Sequence, residues 1–127
     1  MTILLIEDSK LLRITNARAL VKAGYEVISA GDGEAGLRSA QEAIPDLILL
    51  DMLLPKITGL DVLKGLKSDA RTKDIPVIVL SGLSQANEGR LMQEGAAAFF
   101  EKSEKTLDND SADLIEAVRG VLASANK

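Results

Sequence analysis

Short aliphatic runs recur along this chain, separated by longer stretches in which apolar residues fall at helical spacing. Ile3-Leu4-Leu5-Ile6, Leu47-Ile48-Leu49-Leu50 and Val77-Ile78-Val79-Leu80 are unbroken apolar runs. Runs of that length suit strands buried on both faces, as in a parallel sheet. They predict strands over about 2–7, 46–51 and 77–81. Tyr25 to Ala30 reads as a more polar strand, suited to a sheet edge. A fifth strand, about 97–101, carries Phe99 and Phe100. Ser9 is a good N-cap for a helix running to about Ala23, and Gly24 is its stop. Leu11, Ile14, Ala17, Leu20 and Val21 supply that helix's apolar spacing. Further helices are predicted over about 33–43, stopped by Pro45, over 60–68 after the loop marked by Pro55 and Gly59, and over 85–94, stopped by Gly95. A loop covers about 103–110. Asp110 or Ser111 then caps a last helix with the stripe Leu114, Ile115, Val118 and Leu122.

Five βα units in succession predict an α/β fold. The expected architecture is a doubly wound, five-stranded parallel sheet with five helices on its two faces, joined by right-handed crossovers. Neither a repeat nor a linker interrupts the pattern, and 127 residues suit one domain. The expected domain is 1–124, with 125–127 as a short polar tail.

Composition narrows the chemistry. The chain has no Cys, which excludes disulfides and thiolate metal sites, and no His, which removes the commonest general base and zinc ligand. Tyr25, Phe99 and Phe100 are its only aromatics, so the core is aliphatic. A net charge of -4 without a basic stripe argues against nucleic acid as a direct partner. The N-terminal apolar run lacks a basic leader, and no run approaches transmembrane length, so a cytoplasmic protein without membrane association is expected. Nothing resembling an output domain follows the last helix. The chain is expected to stand alone or to be a piece of a larger protein.

The predicted strands end in reactive groups. The first runs into Glu7 and Asp8, the third into Asp51, the fourth into Ser81, and the fifth through Glu101 into Lys102. Ligands of open parallel sheets bind outside the carboxyl ends of the strands. If these four strands are neighbours, three carboxylates, a hydroxyl and an ammonium share one edge. Two carboxylates 4 Å apart repel by about 4 kcal/mol at an effective dielectric of 20. Lys102 offsets part of that, and a hard divalent cation such as Mg²⁺ would balance the rest. Taken singly, each acid could instead be a solvated helix cap. Asp51, before a loop with Pro55 and Gly59, is a carboxylate that could attack phosphorus and form an acyl phosphate. Lys102 and the metal would balance charge on the transferring group, and Ser81 could donate to a phosphoryl oxygen.

With these residues in this order, the chain resembles the receiver domain of two-component response regulators over essentially its whole length. Glu7-Asp8, Asp51 with Pro55 and Gly59, Ser81-Gly82 and Lys102 carry the resemblance, helped by Gly31-Asp32-Gly33-Glu34-Ala35. The resemblance implies strand order 2-1-3-4-5 and a phosphorylation-activated switch in a phosphorelay. Asp51 would accept a phosphoryl group from a phosphohistidine on a sensor histidine kinase or histidine phosphotransfer domain. Asp8 and Asp51 would bind Mg²⁺ directly, with Glu7 acting through water and the Leu53 carbonyl as a further ligand. Lys102 would contact the phosphoryl group, Ser81 would move toward it, and Phe99 would change rotamer in response. A downstream protein would read the change. The readout surface, formed by the fourth helix, fifth strand and last helix, can also carry a homodimer.

Some features depart from the family's pattern. The family usually has proline after the lysine, in a cis peptide, whereas Ser103 follows Lys102 here. A cis bond before a non-proline residue costs about 2.5–4 kcal/mol. Leu53 and Leu83 flank the site, and neither can orient an attacking water, so slow loss of the phosphoryl group is expected. Ser84, Asn87 and Gly89 weaken the fourth helix and suit it to reordering. Three competing readings remain. Gly31-x-Gly33-x-x-Gly36 with Asp51 about 20 residues on matches a dinucleotide fingerprint, although it follows the second strand. A Mg²⁺-dependent phosphatase would use the same Asp51 nucleophile. A pseudo-receiver would bind partners without phosphorylation.

Overall fold

The aliphatic runs are strands, and they pair in parallel throughout. The computed structural model describes residues 1–52, 54, 57–81, 92–101 and 112–125. In chain order these form β1 (Thr2–Ile6), α1 (Lys10–Lys22), β2 (Glu26–Ala30), α2 (Gly33–Ala43), β3 (Leu47–Asp51), α3 (Gly59–Ser68), β4 (Val77–Ser81), β5 (Ala98–Glu101) and α4 (Ala112–Ala125). The sheet order is β2-β1-β3-β4-β5. Of the helix expected over 85–94, residues 82–91 lie outside the described residues. Its stop is in place: the Gly95 amide donates to the Met92 carbonyl at 3.1 Å, and Gly95 has φ +110°. The expected 103–110 loop and the caps Asp110 and Ser111 also lie outside the described residues.

Strand alternation divides the core in two. One transverse row runs Ala30, Ile6, Leu50, Val79, Phe99 across the five strands. It packs against Val62, Leu63 and Leu66 of α3 and Ala40 of α2. The row behind it, Leu5, Leu49, Ile78 and Ala98, faces Leu20 of α1 and Leu114, Val118 and Leu122 of α4. Burying each large aliphatic side chain contributes about 1.5–3 kcal/mol, which is why the central strands β1, β3 and β4 carry the unbroken runs. β2, at the edge, leaves Glu26 and Ser29 exposed, as its polar character predicted.

Helix boundaries follow local chemistry. Ser9 caps α1, its hydroxyl accepting from the Leu12 amide at 3.3 Å. Asp32 caps α2 by accepting from the Ala35 amide at 2.8 Å. Thr58 and Asp61 form a reciprocal capping box on α3.

The orientation of α1 differs from the simplest reading of its apolar residues. Leu20 is buried and Ala17 half-buried, but Leu11, Ile14 and Val21 are exposed by 72%, 41% and 57%. The inward face carries Arg13, Asn16, Ala17 and Leu20, with Asn16 buried. Two stripes compete on this helix, and the less apolar one faces the sheet.

Candidate functional site

The strand order makes β1, β3, β4 and β5 contiguous, so their carboxyl ends form one edge. β1 pairs with β3 through Ile6 and Leu50, so the next step brings Glu7 to the level of Asp51. Asp51 itself pairs with Leu80, and Ser81 with Glu101 one step further out. Glu7 extends β1, its amide donating to the Ala30 carbonyl at 3.0 Å. Both carboxylates are sequestered, with Glu7 1% and Asp51 4% exposed, whereas Asp8 between β1 and α1 is exposed. Glu7 Oε2 accepts from the Ser9 amide at 3.3 Å, which folds the acidic pair back over the strand end.

Beyond Asp51 the chain turns tightly. The Met52 amide donates to the Leu80 carbonyl at 3.0 Å, and the Gly59 amide to the Met52 carbonyl at 3.2 Å. A Cβ on Gly59 would stand 2.6 Å from Met52 Cα and 2.7 Å from the Asp51 carbonyl oxygen. Gly59 therefore lets α3 begin directly against the Asp51 backbone. Pro55 lies outside the described residues.

The sequence reading missed Arg13. Its Nη1 donates to the Glu7 carbonyl at 2.9 Å and to the Asp8 carbonyl at 3.4 Å. A cation that the sequence reading did not expect thus stands at the acidic edge. A signal was present: Arg13 follows Asp8 by just over one helical turn, close enough to fold back on the strand end.

A family model described as the response regulator receiver domain matches residues 3–119. The chain belongs to that family. Among curated relatives of this receiver domain, the polar-differentiation response regulator DivK of Brucella ovis is 38% identical over 103 residues, covering 80% of this chain and 83% of that protein. Among solved structures, the signal receiver domain of a LuxO repressor protein from Vibrio parahaemolyticus superposes with a TM-score of 0.86 at 27% identity, covering 98% of this chain and 92% of that one. The response regulator TrrA of Thermotoga maritima, solved in complex with Mg²⁺–BeF, superposes with a TM-score of 0.81 at 27% identity, covering 94% of this chain and 97% of that one. The sheet order of this receiver domain is that of the flavodoxin-like doubly wound folds.

Of the site residues expected, the fold brings Glu7, Asp8, Asp51 and the Ser81 backbone to one edge. Leu53, Leu83, Lys102 and the Lys102–Ser103 peptide lie outside the described residues. Phe99 is half-buried and packs against the same core cluster as Met52, Leu54 and Ile57, on the face of the sheet that α2 and α3 cover. Among the described residues, no group of three His, Cys, Asp or Glu side chains is gathered as a ready-made cation cage. Mg²⁺ does not need one, because it keeps several waters and is held by one or two carboxylates. The donors at this edge are hard oxygens, the chemistry that cation takes.

The glycine fingerprint has a packing explanation. A Cβ on Gly33 would lie 2.5 Å from Ile57 Cγ1, and one on Gly36 would lie 2.5 Å from Ile6 Cδ1. Gly36 lets α2 lie close to β1, and Gly33 lets its first turn pack against Ile57 and against Val62 of α3, so no dinucleotide is needed to explain them.

Proposed function

We propose that this receiver domain, spanning 1–124 with a short tail at 125–127, is a phosphorylation switch whose acceptor is Asp51. The observation that carries the reading is a pair of sequestered carboxylates, Glu7 and Asp51, level with each other at the carboxyl edge of adjacent parallel strands, beside the exposed Asp8. An Asp51 carboxylate oxygen would form a bond to phosphorus as the donor's N–P bond breaks, leaving neutral histidine on a sensor kinase or phosphotransfer protein. Asp8, Asp51 and the Leu53 carbonyl would hold Mg²⁺, with Glu7 acting through water. When bound, the metal supplies positive charge opposite the phosphoryl oxygens. The neighbour captured with Mg²⁺–BeF is consistent with that assignment.

Lys102 would pair with the phosphoryl group, and Ser81 would close on it from the end of β4. Phe99 would transmit the change, since it packs against the same core cluster as Met52, which directly follows the acceptor. The altered face would be read by a partner protein or by a second copy. Leu53 and Leu83 give water no oriented partner, so the phosphorylated form should decay slowly. A lifetime of only seconds in Mg²⁺ would contradict that point.

Intact mass after incubation with acetyl phosphate tests the acceptor. A gain of about 80 Da that requires Mg²⁺ and disappears in Asp51→Asn is expected for a single acyl phosphate. A Mg²⁺-binding protein that never gains that mass from any phosphodonor would be a pseudo-receiver, and the proposal would fail.

A further inference from the structure

We propose that Arg13 is a positioning residue for Mg²⁺, holding the peptide units of Glu7 and Asp8 so that the exposed Asp8 carboxylate is aimed at the metal; the inference rests on the receiver reading of that edge. Arg13 lies on the inward stripe of α1, half-buried. One nitrogen, Nη1, spans two consecutive carbonyls, those of Glu7 at 2.9 Å and Asp8 at 3.4 Å. Both belong to the strand-to-helix turn that carries the acids. Asp8 is exposed, so little packing fixes its backbone, and this clamp does so instead.

The clamp is also braced from outside. A Cβ on Gly31, in the β2–α2 connection, would stand 3.0 Å from Arg13 Nη1 and 3.6 Å from Cζ. The guanidinium therefore lies against the Gly31 backbone, and a methyl at 31 would press on it and shift it by a few tenths of an ångström. The inward turn of α1 has a reason here too. Rotating Leu11 and Ile14 onto the sheet would carry Arg13 away from the carbonyls it holds.

Charge and position make opposite predictions. A guanidinium acting only through its field repels Mg²⁺, so its removal would tighten binding. A guanidinium that positions a ligand strengthens binding, and losing such an outer partner weakens metal affinity by about 10-fold or more. Positioning dominates here, because both hydrogen bonds end on the backbone of the ligand-bearing turn.

The test is a Mg²⁺ titration of the full chain, followed by the backbone amide signals of Glu7, Asp8 and Ser9. Arg13→Met keeps the stem and should weaken affinity about 10-fold. Arg13→Lys, whose ammonium also carries several donors but on a shorter stem, should restore it only in part. Gly31→Ala keeps the charge but crowds the guanidinium, and should weaken affinity by a few fold on the same reasoning. At saturating Mg²⁺, phosphorylation of both Arg13 variants by acetyl phosphate should return to near the wild-type rate. Affinity that is unchanged or tighter in Arg13→Met, or in Gly31→Ala where the arginine variant does not fold, overturns the proposal. Absence of Mg²⁺ binding by the wild type would instead overturn the receiver reading beneath it, so the two failures are distinct.

Discussion

Replacing Gly59 with alanine tests how tightly α3 is seated against Asp51, the proposed acceptor. The new methyl would sit 2.6 Å from Met52 Cα and 2.7 Å from the Asp51 carbonyl oxygen, both backbone atoms that no rotamer change can move. Either α3 lifts or the end of β3 bends. Overpacking of this kind costs about 1–3 kcal/mol. Lifting α3 also sacrifices the bond from the Gly59 amide to the Met52 carbonyl, at about 1 kcal/mol. The helix-forming advantage of alanine returns up to about 1 kcal/mol. The net loss is about 2 kcal/mol, or about 30-fold in the folding equilibrium. For a domain of this size the melting temperature should fall by about 8 °C. Urea unfolding measures the free energy, and the rate of phosphorylation by acetyl phosphate reports the displaced Asp51. Gly120→Ala is the control: it lies in α4 with nothing within 4 Å of the added methyl. That variant should be stabilised by about 0.5–1 kcal/mol. A Gly59→Ala protein within about 0.5 kcal/mol of wild type, phosphorylated at the same rate, would refute the reasoning.

Three further predictions follow from other parts of the structure. Asp51→Asn removes one charge from a sequestered acidic group, so in metal-free buffer it should stabilise the fold by about 1–2 kcal/mol in urea. Mg²⁺ should cancel that advantage, and a variant less stable than wild type without metal would count against mutual repulsion of the acids. Ile44 ends α2 with φ +44° and is 47% exposed, so a β-branched residue bears a left-handed backbone for little burial. Ile44→Asn should therefore raise stability by about 1 kcal/mol, read from thermal melts, and a lowered melting temperature would show that the side chain's packing outweighs the strain. Leu11 is 72% exposed on the helix that starts beside Asp8, and Lys10, Arg18 and Lys22 share that exposure. Leu11→Asp should leave unfolding within about 0.5 kcal/mol of wild type but slow phosphotransfer from a phosphohistidine protein, and unaltered transfer would exclude this face from docking.

The sequence alone determined the elements and the chemistry at their ends. Unbroken aliphatic runs only four residues long suit strands buried on both faces better than helices, so β1, β3 and β4 were legible. Gly24 and Gly95 marked helix ends because both take the left-handed backbone that glycine tolerates. Glu7, Asp8 and Asp51 stood out because charges at the ends of buried runs need a reason. What only the tertiary structure decided is which stripe of α1 faces the sheet. The sequence offers Leu11, Ile14, Ala17, Leu20 and Val21 as one apolar set, and the fold buries Leu20, half-buries Ala17 and exposes the other three. Helical periodicity ranks stripes by hydrophobicity alone. It cannot weigh Leu20 packed in the core or an arginine whose partners are backbone carbonyls on the preceding strand end. Those partners lie only five and six residues back, but the bonds form only when α1 turns this face toward the end of β1, a choice that periodicity does not make. Strand order was equally beyond pattern reading, because the three buried runs are nearly interchangeable in composition. Their order is set by crossover handedness and by which helices fit each face, properties of the assembled sheet.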